Sequence, residues 1–426
     1  MLVKLIIASL LTGIISGLFI TFYELVITFF TYFFFMGNPF ETIPTLPIWY
    51  LYLLPTVAIF LVNYLISKDK NIREYGVDEI AESIYKNEMT LKFKTLFLKI
   101  IASSLSISTG FAVGTEGPSA GLGAMIAYQI HKLFKLPVML IKMMISVGAS
   151  SGIAAIFVSP LTGISFAIEN IAYQLIKQYV GYLILASVLA FSIAVNFLNS
   201  IVFTHSLGRE VHYEYLVPVL IFIPFITAFI YLYLFMKNKL LYFIDLEVFK
   251  IFCPYRNYIF SLIGGGVIGT ILLFEPHAAF SGKDVVIYLI NEEHHISLNL
   301  IFSIVILRIV ATTVSIYSNA VGGIFLPLMS IGALIGYGFG ELLSQYYHFD
   351  IEPFYFAAVG ASVFMGVIMK LPLTAVVLAL ETTFDYNVMV ATGISVVLVG
   401  YLSNIYFDIK RKYIIKTEKF FKITFK

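Results

Sequence analysis

The feature that most constrains the fold is a series of long apolar stretches without a single charged residue. A bilayer core about 30 Å thick needs about 20 apolar residues of helix. Lipid offers no hydrogen-bond partner to exposed backbone, so such stretches are expected to be helices. The sequence therefore predicts an all-α, multi-pass membrane protein of the cell (plasma) membrane. The stretches cover residues 5–23, 48–67, 143–168, 178–204, 215–236, 257–274, 309–340, 353–369 and 386–407.

Composition also indicates a membrane protein and argues against other classes of protein. Only 12% of the 426 residues are charged, against roughly 25% in soluble domains, which argues against a soluble enzyme. The formal net charge is +2, so no global basic field would hold a nucleic acid. Cys253 is the single cysteine and cannot form an intramolecular disulfide or a Cys-rich metal site. The lipid bilayer is the expected partner, and no cofactor or metal is expected.

Basic residues set the expected orientation and domain organisation. They cluster in the loop that begins at Lys68, in the loop that begins at Lys237, and in the last residues. By the positive-inside tendency these regions are cytoplasmic, and the acidic loop around Glu275 and Asp284 is outside. We expect one transmembrane domain over 1–426, with halves of about 1–205 and 206–407. Residues 408–426 would be a short basic cytoplasmic tail, without a cytoplasmic regulatory domain.

An internal repeat divides the chain into these halves. The segment from Val147 through Pro160 to Glu169 returns from Val359 through Pro372 to Glu381, at an offset of 212 and without a gap. A second pair of prolines, Pro118 and Pro327, recurs at an offset of 209. Duplicated halves with corresponding broken helices are typical of transporters whose site lies at the repeat interface. We therefore expect two inverted-topology halves with broken and re-entrant helices.

One break contains an unusual carboxylate. In Gly114-Thr115-Glu116-Gly117-Pro118 the proline suits a first helical turn, and the glycines let a ligand approach the backbone. A helix that begins inside the membrane presents unpaired N–H groups and a positive dipole end, which favour an anion. Ionised, Glu116 would occupy the anion site itself; protonated, it would vacate the site. The alternative is an ordinary N-terminal capping carboxylate.

Two further segments offer backbone donors of the same kind. The second break is Gly323-Ile324-Phe325-Leu326-Pro327, with Phe325 as an apolar neighbour of the amides. The third candidate, Tyr75-Gly76-Val77-Asp78, follows the first basic loop, and its aspartate is equally consistent with an ordinary helix N-cap.

At these motifs the sequence resembles the CLC family of voltage-gated chloride channels and proton-coupled anion exchangers. Gly114-Thr115-Glu116-Gly117-Pro118 is similar to the family's Gly-Lys/Arg-Glu-Gly-Pro signature, and Gly323-Ile324-Phe325-Leu326-Pro327 matches its Gly-x-Phe-x-Pro signature. The Gly-Ser-Gly-Ile-Pro-Glu signature is only partly kept in Glu74-Tyr75-Gly76-Val77-Asp78-Glu79. These motifs stand in family order and cover most of the chain. They resemble a bacterial-type member without cytoplasmic CBS domains.

The resemblance implies a homodimer in which each subunit has its own pathway, built from two inverted halves. It implies that Glu116 is the external gating glutamate and that Phe325, with its neighbouring amides, lines the central anion site. It also implies a pore-lining tyrosine near the start of the last helix, at Tyr413 or Tyr406. The candidate anion-binding residues are Tyr75, Gly76, Val77, Gly114, Thr115, Gly117, Gly323, Ile324, Phe325, Leu326, Tyr413 and Tyr406.

Three positions depart from the family pattern. The central anion-coordinating serine falls at Tyr75, and the basic residue before the gating glutamate is Thr115, which removes a positive charge from the outer approach. The inner proton-relay glutamate of the exchangers falls at Asn170, and an amide cannot carry a proton in the same way. These departures bear on anion selectivity and on proton coupling.

The sequence thus predicts transport of chloride or a related small anion, with protons as the second substrate and Glu116 as the gate. Two alternatives stay within the class: a passive voltage- or pH-gated anion channel, and a fluoride-type exchanger. An intramembrane enzyme that uses Glu116 or the His294/His295 pair is the rival from another class, and we expect no enzyme. Arg308 is expected to be a snorkelling or ion-paired helix end.

Overall fold

The computed structural model describes residues 1–73, 93–170, 176–198, 213–244, 256–291, 297–347 and 352–424. Within these ranges the regular structure is helical, apart from one isolated backbone bridge. The prediction of an all-α chain is confirmed. The main helices are α1 (Leu2–Phe35), α2 (Ile48–Lys68), α3 (Phe93–Ser108), α4 (Glu116–Leu133), α5 (Ile141–Phe157), α6 (Pro160–Asn170), α7 (Ile176–Ala194), α8 (Leu216–Ile244), α9 (Arg256–Phe274), α10 (Lys283–Asn291), α11 (Leu298–Tyr317), α12 (Phe325–Tyr347), α13 (Pro353–Met369), α14 (Pro372–Thr383) and α15 (Tyr386–Thr424).

The helices form a buried centre and a lipid-facing rim. Seven helices in the described part of the chain are long and apolar enough to cross a membrane. In an apolar 18-residue stretch of each of the segments 138–157 and 325–345, which contain α5 and most of α12, 89% and 94% of the residues are buried. The corresponding share in α2 and α8 is only 39%. Since α8 is strongly apolar and mostly exposed, it presents its surface to lipid, whereas α5 and α12 form the interior.

The repeat found in the sequence is also a repeat of helix packing. The two most extensive helix contacts are α4 with α5 and α12 with α13, which are equivalent pairs in the two halves. A Cβ atom on Gly123 would lie 2.0 Å from the Gly148 carbonyl oxygen, and one on Gly332 would lie 2.2 Å from the Gly360 oxygen. Glycine is needed at these positions because the helix backbones touch. The recurrence of these glycines in the sequence thus records close helix crossings.

The second helix of each pair also ends in the same way. Val158, after α5, has φ 53°, and Lys370, after α13, has φ 59°. This left-handed residue closes the helix, and a proline soon afterwards prevents its continuation. The prolines are Pro160 and Pro372, which begin the short helices α6 and α14.

Each short helix is capped by a glutamate from the opposite half. Glu381, in α14, accepts the backbone N–H of Leu161 at 2.9 Å and that of Thr162 at 2.6 Å. Glu169, in α6, accepts the backbone N–H of Leu373 and of Thr374, both at 2.7 Å. Both glutamates are partnered structural groups, since a carboxylate at a helix N-terminus satisfies unpaired amides.

Candidate anion site

The site lies where the two broken segments face each other. The Gly114 N–H donates to the Gly323 carbonyl at 2.7 Å, and the Gly323 N–H donates back to the Gly114 carbonyl at 2.7 Å. This antiparallel bridge satisfies polar backbone groups in a region where lipid could not. It also brings the N-termini of α4 and α12 to the same place. The sequence predicts each break, and the structure brings the two together.

Two serines, one from each half, form hydrogen bonds with the bridged segments. The Ser106 hydroxyl in α3 accepts the Val321 N–H at 3.0 Å, and the Ser315 hydroxyl in α11 accepts the Ala112 N–H at 2.9 Å. Each serine therefore supports the loop of the other half. Both are fully buried, so the segments are fixed by hydrogen bonds that solvent does not compete for.

The Glu116 side chain reaches from α4 to the N-terminus of α12. Its Oε1 atom accepts the Phe325 N–H at 2.5 Å and the Leu326 N–H at 3.4 Å. Its Oε2 atom is buried and makes no hydrogen bond with the described residues. The carboxylate thus lies on amides that the start of a helix leaves unpaired, and such amides favour a negatively charged partner. Thr115, the N-cap residue of α4, makes no side-chain capping hydrogen bond.

Space for the carboxylate comes from two glycines. A Cβ atom on Gly114 would lie 2.0 Å from Glu116 Oε2, and one on Gly323 would lie 2.3 Å from Oε1. Neither glycine has a left-handed φ, so the backbone there would accept any residue. A side chain at either position would compete with the carboxylate for the same volume.

An aromatic pair packs beside the site, with Phe325 as one of its members. Its side chain is fully buried, and its ring centroid lies 4.7 Å from that of Phe157, the last residue of α5. The two rings are tilted by 44°, an arrangement typical of a favourable aromatic pair. Phe157 is therefore a part of the site that the sequence did not indicate.

The other predicted residues are placed as follows. Thr115 and Leu326 are buried at the site, and Ile324 is half-buried. A Cβ atom on Gly117 would lie 3.2 Å from the Gly323 Cα. Asn170 is the half-buried last residue of α6.

The segment with Tyr75, Gly76 and Val77 lies outside the described residues, as does the pair His294 and His295. Tyr406 and Tyr413 belong to α15, but their side chains lie outside the description.

The supporting serines had a signal in the sequence that motif reasoning missed. Ser106-Ile107 recurs as Ser315-Ile316 at the offset of 209 that relates Pro118 to Pro327. Extending the second repeat backwards would have found them. No comparable signal marks Phe157, because its equivalent after the repeat offset of 212 is Met369.

The helices and the bridged breaks together define a multi-pass membrane protein in which two repeated halves meet at the unpaired N-termini of broken helices. A family model described as voltage gated chloride channel matches residues 56–404. The chain belongs to this family. It is a multi-pass membrane protein, which in a bacterium resides in the plasma membrane.

Two proteins named as exchange transporters are similar to this chain in sequence. The H(+)/Cl(-) exchange transporter ClcA of Klebsiella pneumoniae (strain 342) is 30% identical over 328 residues, which are 74% of this chain and 67% of that protein. The ClcA of Salmonella arizonae is 27% identical over the same shares of both chains.

Solved structures share the fold over 95% of this chain. A slow cyanobacterial Cl-/H+ antiporter has a TM-score of 0.82 at 21% identity, with 95% of its own chain covered. A CLC-type fluoride/proton antiporter has a TM-score of 0.74 at 20% identity, with 96% covered.

Proposed function

We propose that this protein carries chloride or a related small anion across the membrane in exchange for protons. The observation that supports this most is the position of Glu116, whose carboxylate lies on the Phe325 and Leu326 amides. A titratable group at an anion position links the two substrates, because its ionised form competes with the anion for the same amides. A proton neutralises the carboxylate and weakens its hydrogen bonds to these amides, and an anion can then replace it.

The proposal assigns a role to each part of the site. Glu116 is the gate and the proton-binding group, and the unpaired amides at the start of α12 hold the anion. Phe325 closes the inner side. The remaining anion-binding residues are Tyr75, Gly76, Val77, Gly114, Thr115, Gly117, Gly323, Ile324, Leu326 and one of Tyr406 and Tyr413.

The relatives named as exchange transporters support transport rather than catalysis, and the proposal includes no enzymatic activity. It also includes a homodimer in which each subunit contains its own pathway. A single copy already contains both broken segments, because the bridge between Gly114 and Gly323 forms within one chain. The partner subunit would therefore add no residue to this position.

A passive anion channel is the second candidate, and one observation favours it. The end of α6 holds Asn170, where an exchanger would hold a glutamate, and an amide does not carry a proton through ionisation. Simultaneous recordings of anion flux and external pH on purified protein in liposomes separate the two candidates. An exchanger drives protons uphill when an anion gradient is imposed, whereas a channel leaves external pH unchanged. Chloride, fluoride and nitrate, offered separately, identify the preferred anion.

The variant Glu116→Gln tests the gate. It removes the titratable carboxylate while keeping the shape of the side chain, so anion flux should become independent of pH and proton movement should stop. The matched control is Glu352→Gln, which changes an exposed glutamate next to α13 and should leave both fluxes unchanged. Anion-driven proton uptake that persists in Glu116→Gln would contradict the role of this residue.

A further inference from the structure

A cavity of about 890 Å³ leads to the Glu116 position from one side of the protein. Thr115 and Leu326, the neighbours of Glu116 and Phe325, are among its lining residues. Glu41, which also lines the cavity, lies in the connection between α1 and α2. Since α2 is about 31 Å long and ends at Lys68 on the basic, cytoplasmic side, Glu41 lies on the external side. We call this space the outer cavity.

The described lining of the outer cavity is poor in positive charge. Glu24, Glu41 and Asp284 line it, whereas Lys283 is the one lysine or arginine among these residues. An anion that enters from outside therefore approaches carboxylates. Thr115, at the inner end, adds no charge. Lys283 is therefore the lysine of the described lining that can attract an anion.

Lys283 is held by a carboxylate from α1. Its Nζ atom lies 3.3 Å from Glu24 Oε1, and the two side chains are 20% and 15% exposed. The second oxygen of Glu24 is buried and has no hydrogen-bond partner among the described residues. Glu24 therefore engages Lys283 through one oxygen and offsets much of its charge.

The start of α10, where Lys283 stands, is fixed by a buried arginine. Arg308 donates from Nη1 to the His277 and Ala279 carbonyls, both at 3.0 Å, and is completely buried instead of snorkelling. Gly282 has φ 91°, and a Cβ atom there would lie 2.0 Å from Arg308 Nη2. The loop before Lys283 is thus packed tightly on the guanidinium. The Lys283 side chain therefore extends from a tightly packed segment and not from a mobile surface loop.

We propose that Lys283 recruits anions from the external side and that Glu24 restrains it. Lys283 supplies, from α10, the positive charge that Thr115 does not supply beside the gate, and Glu24 from α1 offsets part of it. This inference rests on the proposed anion transport. The ligand class is a small inorganic anion, because one ammonium group attracts charge without selecting shape.

The first experiment measures the external chloride concentration that gives half-maximal flux into liposomes. Lys283→Gln should raise this concentration about tenfold at low ionic strength, the lower end of what charge steering in a cleft provides. Added salt of an impermeant anion should reduce the difference, since screening acts within a Debye length of about 10 Å at 0.1 M. The half-maximal internal concentration should stay unchanged. Lys283→Arg keeps the charge and should keep the external value.

Two further variants separate the charge effect from damage to the fold. Glu24→Gln releases Lys283 and should lower the half-maximal external concentration, a change opposite to that of Lys283→Gln. Thr115→Lys in the Lys283→Gln background should restore the external value, because it returns one positive charge to the same cavity. A structural defect would not be rescued in this way.

The inference and the proposed function can fail separately. If Lys283→Gln carries flux with an unchanged half-maximal external concentration, or if Glu24→Gln shifts it upwards, Lys283 does not recruit anions. If the unmodified protein carries no anion in this assay, the proposed transport itself is wrong.

Discussion

Replacing Gly114 with alanine should expel the Glu116 carboxylate from the N-terminus of α12. The three atoms nearest to a Cβ at this position all belong to the Glu116 side chain, with Oε2 at 2.0 Å and Cδ at 2.7 Å. No backbone atom is among them. Because φ at Gly114 is not left-handed, alanine fits the backbone, and the flexible side chain is the part that must move.

The size of the effect follows from the hydrogen bond that is lost. A hydrogen bond to a charged group contributes about 1.5–3 kcal/mol. Loss of the bond between the Phe325 N–H and Glu116 Oε1 should therefore lower the occupancy of the site by the carboxylate about 10- to 150-fold, at 1.4 kcal/mol for each factor of ten. Anion flux at alkaline pH, where the ionised carboxylate blocks the site, should rise in the same proportion until another step limits it.

The assay is anion efflux from liposomes at alkaline and acidic external pH, with protein amounts matched. The control is Gly266→Ala in α9, where a Cβ would meet nothing within 4 Å. The control should reproduce the flux and pH dependence of the unmodified protein. If Gly114→Ala folds but shows the same low flux at alkaline pH as Gly266→Ala, the carboxylate does not compete with the anion for these amides.

Two other variants test separate features. Glu169→Gln should destabilise the protein by about 1 kcal/mol for each hydrogen bond that loses a charged acceptor. The donors are the Leu373 N–H, the Thr374 N–H and the Thr374 hydroxyl, so the total is about 3 kcal/mol. A lower unfolding midpoint in detergent would show this, and a midpoint equal to that of Glu352→Gln would contradict the capping role. Asn170→Glu should increase the number of protons moved per anion in liposomes, because it returns a titratable group to the end of α6. An unchanged ratio would mean that proton transfer is not limited at this position.

The sequence predicted those parts of the fold that depend on local chemistry. Uncharged apolar stretches give helices in lipid for a reason that needs no tertiary structure, and the glycines and prolines around Glu116 mark a break directly. The repeat added that the halves correspond. The sequence therefore also predicted that Glu116 could occupy an anion position.

Contacts between the two halves could not be predicted from these sequence patterns. Phe157 meets Phe325 only because the end of α5 and the start of α12 converge, and no periodicity within either helix indicates this. Lys283 is separated from Glu24 by 259 positions, and in sequence it is an ordinary residue of an acidic loop. Arg308 was expected at a polar helix end because a lone charge usually seeks water, but three-dimensional packing supplied carbonyl partners instead.

The exchanged glutamate caps have a consequence for how the protein is made. Leu161 and its cap Glu381 are 220 positions apart, so at about 5–20 residues per second the start of α6 is synthesised roughly 10 to 45 seconds before its partner. Glu169 is likewise made long before the amides of α14. During translation the amides at the start of α6 therefore remain uncapped in the membrane, and the Glu169 carboxylate has not yet met the amides that it caps. When α14 has been synthesised, Glu381 caps the α6 amides and Glu169 caps the α14 amides. These hydrogen bonds of the first half therefore form only once the second half is nearly complete.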